Sequence, residues 1–330
     1  MVVSRYGRAL AAGIALALLG GLPARAQDSS TAEQTIDVMN TLFGKHPGKR
    51  ANHAKGVVGE GSFTPSADAA KISKASLFAG PAVPVTIRFS DATGVPTIAD
   101  GAANANPHGM SLKFKLGDGS DMDVVLNSLA YFPVATGEEF HDLLKAVSES
   151  GPDAKKPTAL ERFVATHPAA ATAGSTAKTP SSFARQTYNG VNAFVFVDKD
   201  GKRQPFRFRV VPVQGEEILS AEEAAKREPN YLVDEIGPRV AKEPAKFRVL
   251  AQLAEAGDLT NDATKPWPES RKTLDLGTLT VTKVVPDSAE AEKALLFMPN
   301  ALTDGIDVSD DPLIDARVQA YAVSFGRRAQ

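Results

Sequence analysis

Between residues 83 and 90 apolar and polar side chains alternate without a break. Val83, Val85, Ile87 and Phe89 are apolar, and Pro84, Thr86, Arg88 and Ser90 stand between them. A period of two puts the sets on opposite faces, so this is a strand with one core face and one polar face. Leu112, Phe114 and Leu116 alternate in the same way with Ser111, Lys113 and Lys115, and Gly117-Asp118-Gly119 follows as a turn. A further strand runs through Val124 to Asn127. Val191–Val197 and the alternating Phe206, Phe208 and Val210 form a hairpin joined at Asp198–Gly201, and another strand pair lies within Leu274–Val285. Helical spacing governs three other stretches. Ile36, Met39, Leu42 and Phe43 mark residues 31–44, Phe140, Leu143, Leu144 and Val147 mark the stretch from Glu138 to Ser148, and a last helix runs from Asp311 to Gln330. Asp310 or Asp311 caps that helix ahead of Pro312. Residues 165–182, rich in Ala, Thr, Ser and Pro, read as loop or weak helix. Residues 220–256 read as mostly helical, broken at Pro229, Gly237-Pro238 and Pro244. Antiparallel strands with helical excursions predict an α+β protein, a closed or nearly closed β-barrel carrying appended helices.

The chain has 330 residues, 43% of them hydrophobic, enough for a sizeable core. Lys and Arg number 37 against 39 Asp and Glu, a net charge of −2 that excludes a strongly basic nucleic-acid binder. There is no cysteine, which excludes disulfides, thiolate metal sites and thiolate nucleophiles, and suits a protein that meets peroxides. Residues 1–26 read as a secretory signal: Arg5 and Arg8, an apolar run from Ala9 to Leu22, and Ala24-Arg25-Ala26 as cleavage site. The run is short of the ~20 residues that span a bilayer, and the two arginines are not adjacent, so it is not a twin-Arg signal. The expectation is export to a periplasm as a single domain of residues 27–330, with no membrane attachment once the signal is removed.

Five histidines are present: His46, His53, His108, His141 and His167. None forms the H-x-x-x-H pair of a zinc protease, and no G-x-S-x-G elbow occurs. The informative segment is Arg50-Ala51-Asn52-His53-Ala54-Lys55-Gly56. It resembles the R-x-x-H-A-K-G string of the catalase superfamily, and further motifs follow in family order. They are Arg88-Phe89-Ser90, Asn106-Pro107-His108-Gly109, Asp123 to Asn127 with Phe132, Asn189-Gly190, Asp258-Leu259-Thr260, Trp267-Pro268, and Arg317-Val318-Gln319-Ala320-Tyr321 as R-x-x-x-Y. Any one is weak, but their order over residues 30–330 is specific.

The resemblance implies a catalase-like antiparallel barrel of about eight strands, lacking the C-terminal extension of full-size catalases, and a bound haem b. It implies Tyr321 as the phenolate ligand to haem iron, with Arg317 one helical turn earlier on the same face. His53 would be the acid and base above the iron, Ser90 its orienting partner, and Asn127 a hydrogen-bond partner of the peroxide. Arg50, Arg88 and Arg328 would meet the haem propionates, with Arg327 as the adjacent candidate. Phe132 and Phe140 would pack on the porphyrin. Arg88 is informative by itself: an arginine opposite the apolar face of its strand meets either water or a buried anion. His46, His141 and His167 read as surface or capping residues.

Two positions depart from the family pattern: Asn52 stands where many catalases have an apolar valine, and His108 stands in place of an arginine. With the short chain, these resemble the small catalase-related peroxidases. The implied activity is reduction of hydrogen peroxide or organic peroxides by a small organic electron donor, in a monomer or small homo-oligomer that binds no nucleic acid. A minimal catalase and a non-enzymatic haem-binding protein are the competing readings, and rearrangement of fatty-acid hydroperoxides stands below them.

Overall fold

A computed structural model describes residues 30–328; the predicted signal peptide lies outside them. Ten strands form one antiparallel sheet: β1 (Gly56–Pro65), β2 (Val83–Ser90), β3 (Gly109–Lys115), β4 (Asp121–Asn127), β5 (Tyr188–Asn189), β6 (Phe194–Val197), β7 (Arg203–Pro212), β8 (Ala245–Leu253), β9 (Thr273–Val284) and β10 (Ile306–Val308). Their order is β10-β6-β7-β5-β4-β3-β2-β1-β9-β8, and β8 also pairs with β7. That last pairing closes an eight-stranded antiparallel barrel, from which β6 and β10 extend as a short flap. Among the described residues nine helices decorate it: α1 (Thr31–Phe43), α2 (Ala69–Ile72), α3 (Gly137–Ser148), α4 (Ala159–Thr166), α5 (Pro168–Thr172), α6 (Ala221–Ala225), α7 (Tyr231–Lys242), α8 (Ser288–Ala294) and α9 (Pro312–Arg328).

The barrel interior is filled by the apolar faces of the strands. Val85, Ile87 and Phe89 of β2, Leu112 and Phe114 of β3, Val124 and Leu126 of β4, and Phe247 of β8 are all buried there. Phe63 meets Phe114 edge-on with centroids 5.4 Å apart, a favoured arrangement of two ring quadrupoles. Helix caps follow local chemistry. Ser30 and Glu33 form a reciprocal capping box on α1, and Asp311 Oδ1 accepts the Leu313 amide, 3.0 Å, at the start of α9.

Three stretches differ from the sequence reading. Residues 245–253 are strand, not helix: Ala245, Phe247, Val249, Ala251 and Leu253 are the buried residues of an alternating pattern, which the flanking helix-like composition conceals. Helix α7 runs straight through Gly237-Pro238; burial of Leu232, Ile236 and Val240 holds it there. The strand pair within 274–285 is one long strand, β9. Gly277 sits at φ 145° in its interior. A Cβ at Gly277 would lie 2.3 Å from the Thr64 carbonyl oxygen, and the β8–β9 register shifts beside it, between Val249 and Leu250. Such irregularities bend a sheet toward closure.

Candidate active site

Outside the barrel, between the wall made by β2, β3 and β4 and the helices α1, α3 and α9, lies a cavity of about 630 Å³. It falls within the ~300–1,000 Å³ of pockets that bury a cofactor-sized ligand. His53, Ser90, Asn127, Phe132, Phe140, Arg50, Arg88, Arg317, Tyr321 and Arg328 all line it. Residues up to 278 positions apart in sequence order thus meet at one place, the His53 turn facing the α9 stripe.

His53 lies in the turn before β1 and is the one non-glycine residue with a positive φ among the described residues, at 56°. Such a conformation is sparsely populated and persists where the surroundings impose it. Its Nδ1 lies 3.0 Å from Ser90 Oγ on β2. The backbone carbonyl of His53 accepts from Arg88 Nη2 at 2.8 Å. Nε2 makes no hydrogen bond to the described protein and is the ring's remaining polar edge. Burial, then the Arg88, Arg50 and Arg317 charges, push the imidazole down to about 3, so it is a neutral base at physiological pH. Asn127 ends β4. Its Oδ1 accepts the Leu129 amide at 2.8 Å, and because a backbone N–H needs an acceptor, this fixes the amide with Nδ2 free to donate.

Helix α9 presents Arg317, Tyr321, Ser324 and Arg328 to the cavity, the four-three-four spacing of a single helical stripe. Arg317 Nε and Nη2 both donate to Tyr321 Oη, each at 3.1 Å. Arg317 Nη1 donates in turn to Asn192 Oδ1, and Asn192 Nδ2 donates to Asp311 Oδ2 at 2.8 Å. Ser324 Oγ accepts the Ala51 amide at 3.3 Å, tying α9 to the His53 turn.

Arg50, Arg88 and Arg328 converge at one end. Arg50 donates to Glu292 Oε2 at 3.2 Å and to the Leu295 carbonyl at 2.9 Å. Arg88 Nε lies 3.1 Å from Glu292 Oε1, without a well-directed hydrogen bond, and Arg328 Nη2 donates to the Leu295 carbonyl. The buried anion anticipated for Arg88 is therefore Glu292 in the protein itself. Three guanidiniums still face one carboxylate, and the Nε atoms of Arg88 and Arg328 are buried without hydrogen-bond partners. Burial and the neighbouring Arg88 and Arg328 charges push Arg50 down to about 8. The surplus of two positive charges matches the two propionates of a haem. The residues present therefore fit the group: an apolar slot, a dianion cradle at one end, an imidazole on one wall and a phenol on the other. Arg327 instead pairs with Asp37 at 2.6 Å, away from the cavity, so Arg328 is the candidate of the two.

Phe132 and Phe140 meet at the cavity wall with centroids 5.4 Å apart. The remaining histidines lie outside the cluster. His46 Nε2 contacts the Phe43 carbonyl, and His167 caps α4 and stacks on Phe163 at 3.9 Å. Glu292 and Asn192 escaped the sequence reading. Glu292 sits in a charged stretch indistinguishable from a solvated helix, and Asn192 carries no spacing signal; Asp311 was legible only as a helix cap.

A profile of the catalase family matches residues 32–329. A catalase-related peroxidase of Mycolicibacterium paratuberculosis is 36% identical over 302 residues, covering 90% of this chain and 95% of the relative. A second, from Synechococcus elongatus, is 30% identical and covers 91% of this chain and 89% of the relative. In fold the chain is similar to catalase A from Saccharomyces cerevisiae, with a TM-score of 0.74 at 20% identity, covering 86% of this chain and 62% of that one.

Proposed function

The chain belongs to the catalase family, a haem peroxidase by its relatives, and from that premise we propose that it reduces hydrogen peroxide or small organic peroxides with electrons from a small organic donor, on a haem b held between His53 and Tyr321. The observation that carries this reading is the cavity itself, with a neutral, Ser90-oriented imidazole on one wall and an Arg317-bound phenol on the other.

When bound, haem supplies a redox-active iron that takes the oxidising equivalents of the peroxide and passes them on to the donor. The protein's own part is proton handling and electrostatics. Overall, ROOH, two electrons and two protons give ROH and water. His53 Nε2 accepts the peroxide proton and returns it to the departing oxygen, which a neutral imidazole held in one pose can do. Ser90 keeps Nδ1 engaged, so Nε2 is the nitrogen that exchanges the proton. Asn127 Nδ2 donates a hydrogen bond to the peroxide and holds it in line. On the opposite wall Tyr321 Oη is the oxygen that would hold the metal, oriented by the two Arg317 donors. Arg50, Arg88 and Arg328 would bind the propionates, and these would offset the cationic field that depresses His53.

The test is donor oxidation by the purified haem-loaded protein. Peroxide-dependent oxidation of a phenolic donor, reduced about 10²–10⁴-fold in H53A with haem retained, is the expected result. Rapid oxygen release from hydrogen peroxide alone, unaffected by donor, would make it a minimal catalase instead. Turnover unaffected by H53A would mark it as a haem carrier. We further propose that residues 1–26 export the enzyme to a periplasm, where it acts as a monomer or small homo-oligomer. Amino-terminal sequencing of the secreted protein should begin at Gln27.

A further inference from the structure

Two fully buried ionisable side chains stand behind the distal wall, and the mechanism above uses neither. Asp91 follows Ser90, and His108 precedes Gly109. Ser90 and Gly109 are register partners of β2 and β3 and together brace the His53 ring: a Cβ on Gly109 would lie 3.1 Å from His53 Nδ1 and 2.8 Å from Ser90 Oγ. On the barrel side of this pair, His108 Nε2 lies 3.5 Å from Asp91 Oδ1, both side chains wholly inaccessible. Both carboxyl oxygens and both ring nitrogens are buried; the Asp91 carboxyl stands against that of Asp100, and the His108 ring against the Gln186 side chain. His108 also reaches the other distal residue. Its amide donates to Ser128 Oγ at 3.0 Å, and its carbonyl accepts the Ser128 amide at 2.9 Å, beside Asn127.

The charged groups facing Asp91 have other partners as well. Lys55 Nζ donates to Asp100 Oδ1 and to the Ile98 and Pro229 carbonyls. Asp100 Oδ2 accepts the Leu232 amide at 2.7 Å, and Arg88 is committed to Glu292 and the His53 carbonyl. Tyr188 Oη and Tyr231 Oη donate to the carbonyls of Phe183 and Pro180. An ionised Asp91 would put a second buried carboxylate beside Asp100, with Lys55 and Arg88, both already bonded elsewhere, to offset the two; this costs more than a carboxylic acid does there. Asp91 therefore keeps its proton against the Asp100 carboxyl, with the His108 ring 3.5 Å from it.

We propose that a protonated Asp91, packed against the Asp100 carboxyl and the neutral His108, acts with His108 as a positioning residue for the distal pair, so that loss of the Asp91 proton at alkaline pH loosens the β2–β3 wall and frees His53 from its reactive pose. The inference rests on the peroxidase reading of the site. Burial and the neighbouring Asp100 carboxylate push Asp91 up to about 8, and burial pushes His108 down to about 4. The pair therefore keeps one proton between those limits.

Infrared spectroscopy of the haem-loaded wild type, with and without carboxyl-labelled aspartate, tests this without a variant. An aspartic acid C=O stretch should be present at pH 6.5, shift on labelling, and vanish with a midpoint near 8. Deuterium exchange of segments 88–92 and 107–111, corrected for intrinsic rate, should rise with the same midpoint, and so should the alkaline fall in kcat. In D91N, which keeps the shape of the protonated acid, the exchange step and the alkaline limb should both be missing. An absent acid band, or a D91N profile with the wild-type midpoint, overturns the proposal. The band and the exchange step are read without turnover, so a protein that oxidises no donor would refute the peroxidase reading and leave these two readouts to decide the role of the Asp91 proton.

Discussion

His53 holds a left-handed backbone angle, a strain of about 1–3 kcal/mol, and gains from it a ring clamped by Ser90 and facing the cavity. Its neutrality is as important as its place. Because burial and three arginines depress it, the acid limb of peroxide reduction should fall below the ~6.5 of an ordinary histidine. Steady-state kcat/KM from pH 4 to 7 checks this; an acid-limb inflection at or above ~6.5 would contradict it. Replacing Asn127 by Ala should slow peroxide reduction about 3–10-fold, the effect of one lost neutral hydrogen bond, with the haem spectrum retained. These residues were legible because their motifs are local strings. Glu292 was not, since nothing in a run of Ala, Glu and Lys says which acid turns inward.

At the scale of elements, α9 does three things with one stripe. Arg317 and Tyr321 form the wall opposite His53, Ser324 ties down the His53 turn, and Arg328 reaches the cationic end. Asp311 starts the helix and also ends the Tyr321–Arg317–Asn192 chain. D311A should therefore cost about 1 kcal/mol of stability through the lost cap and also perturb the haem spectrum, which a pure cap would not do. Thermal melts and absorption spectra of the same preparation separate the two effects. Strand β9 depends on Gly277. G277A should destabilise by more than the ~1 kcal/mol of an ordinary helix or strand substitution, because its Cβ would strike the Thr64 carbonyl where the barrel closes. The alternating strands and the amphipathic helices were readable from period alone. Strand β8 was not, since its small and charged residues imitate the helices before it and its alternation shows only against the closed barrel.

For the whole molecule, the barrel is one wall and the helices a cover, with the cavity between them. The haem-free protein buries three guanidiniums against one carboxylate, so filling the cavity with a dianionic porphyrin should raise Tm, as for any ligand that binds only the folded state. E292Q should widen the gap between haem-free and haem-loaded melting temperatures, since it removes the one anion the empty cradle has. Stability against pH should show the buried ionisable groups. In the haem-free protein the depressed His53 and His108 bind fewer protons folded than unfolded, so stability rises with pH up to about 6.5. The raised Asp91 keeps a proton that the unfolded chain has lost, so stability falls from there to about 8. Chemical denaturation at pH 5, 6.5 and 8 should therefore find a maximum at the middle value. The barrel class and the site's location were legible as a family pattern in the sequence. The closing β7–β8 pairing and the charge balance of the cradle were not, because both depend on residues brought together from distant segments.

The most direct measurement is the resonance Raman and absorption spectrum of the ferric haem-loaded protein beside its Y321F variant. Wild type should show the vibrations of an iron-bound tyrosinate and a Soret band that shifts or disappears in Y321F. Identical spectra for the two, with no tyrosinate modes in either, would show that the phenol opposite His53 does not hold the iron.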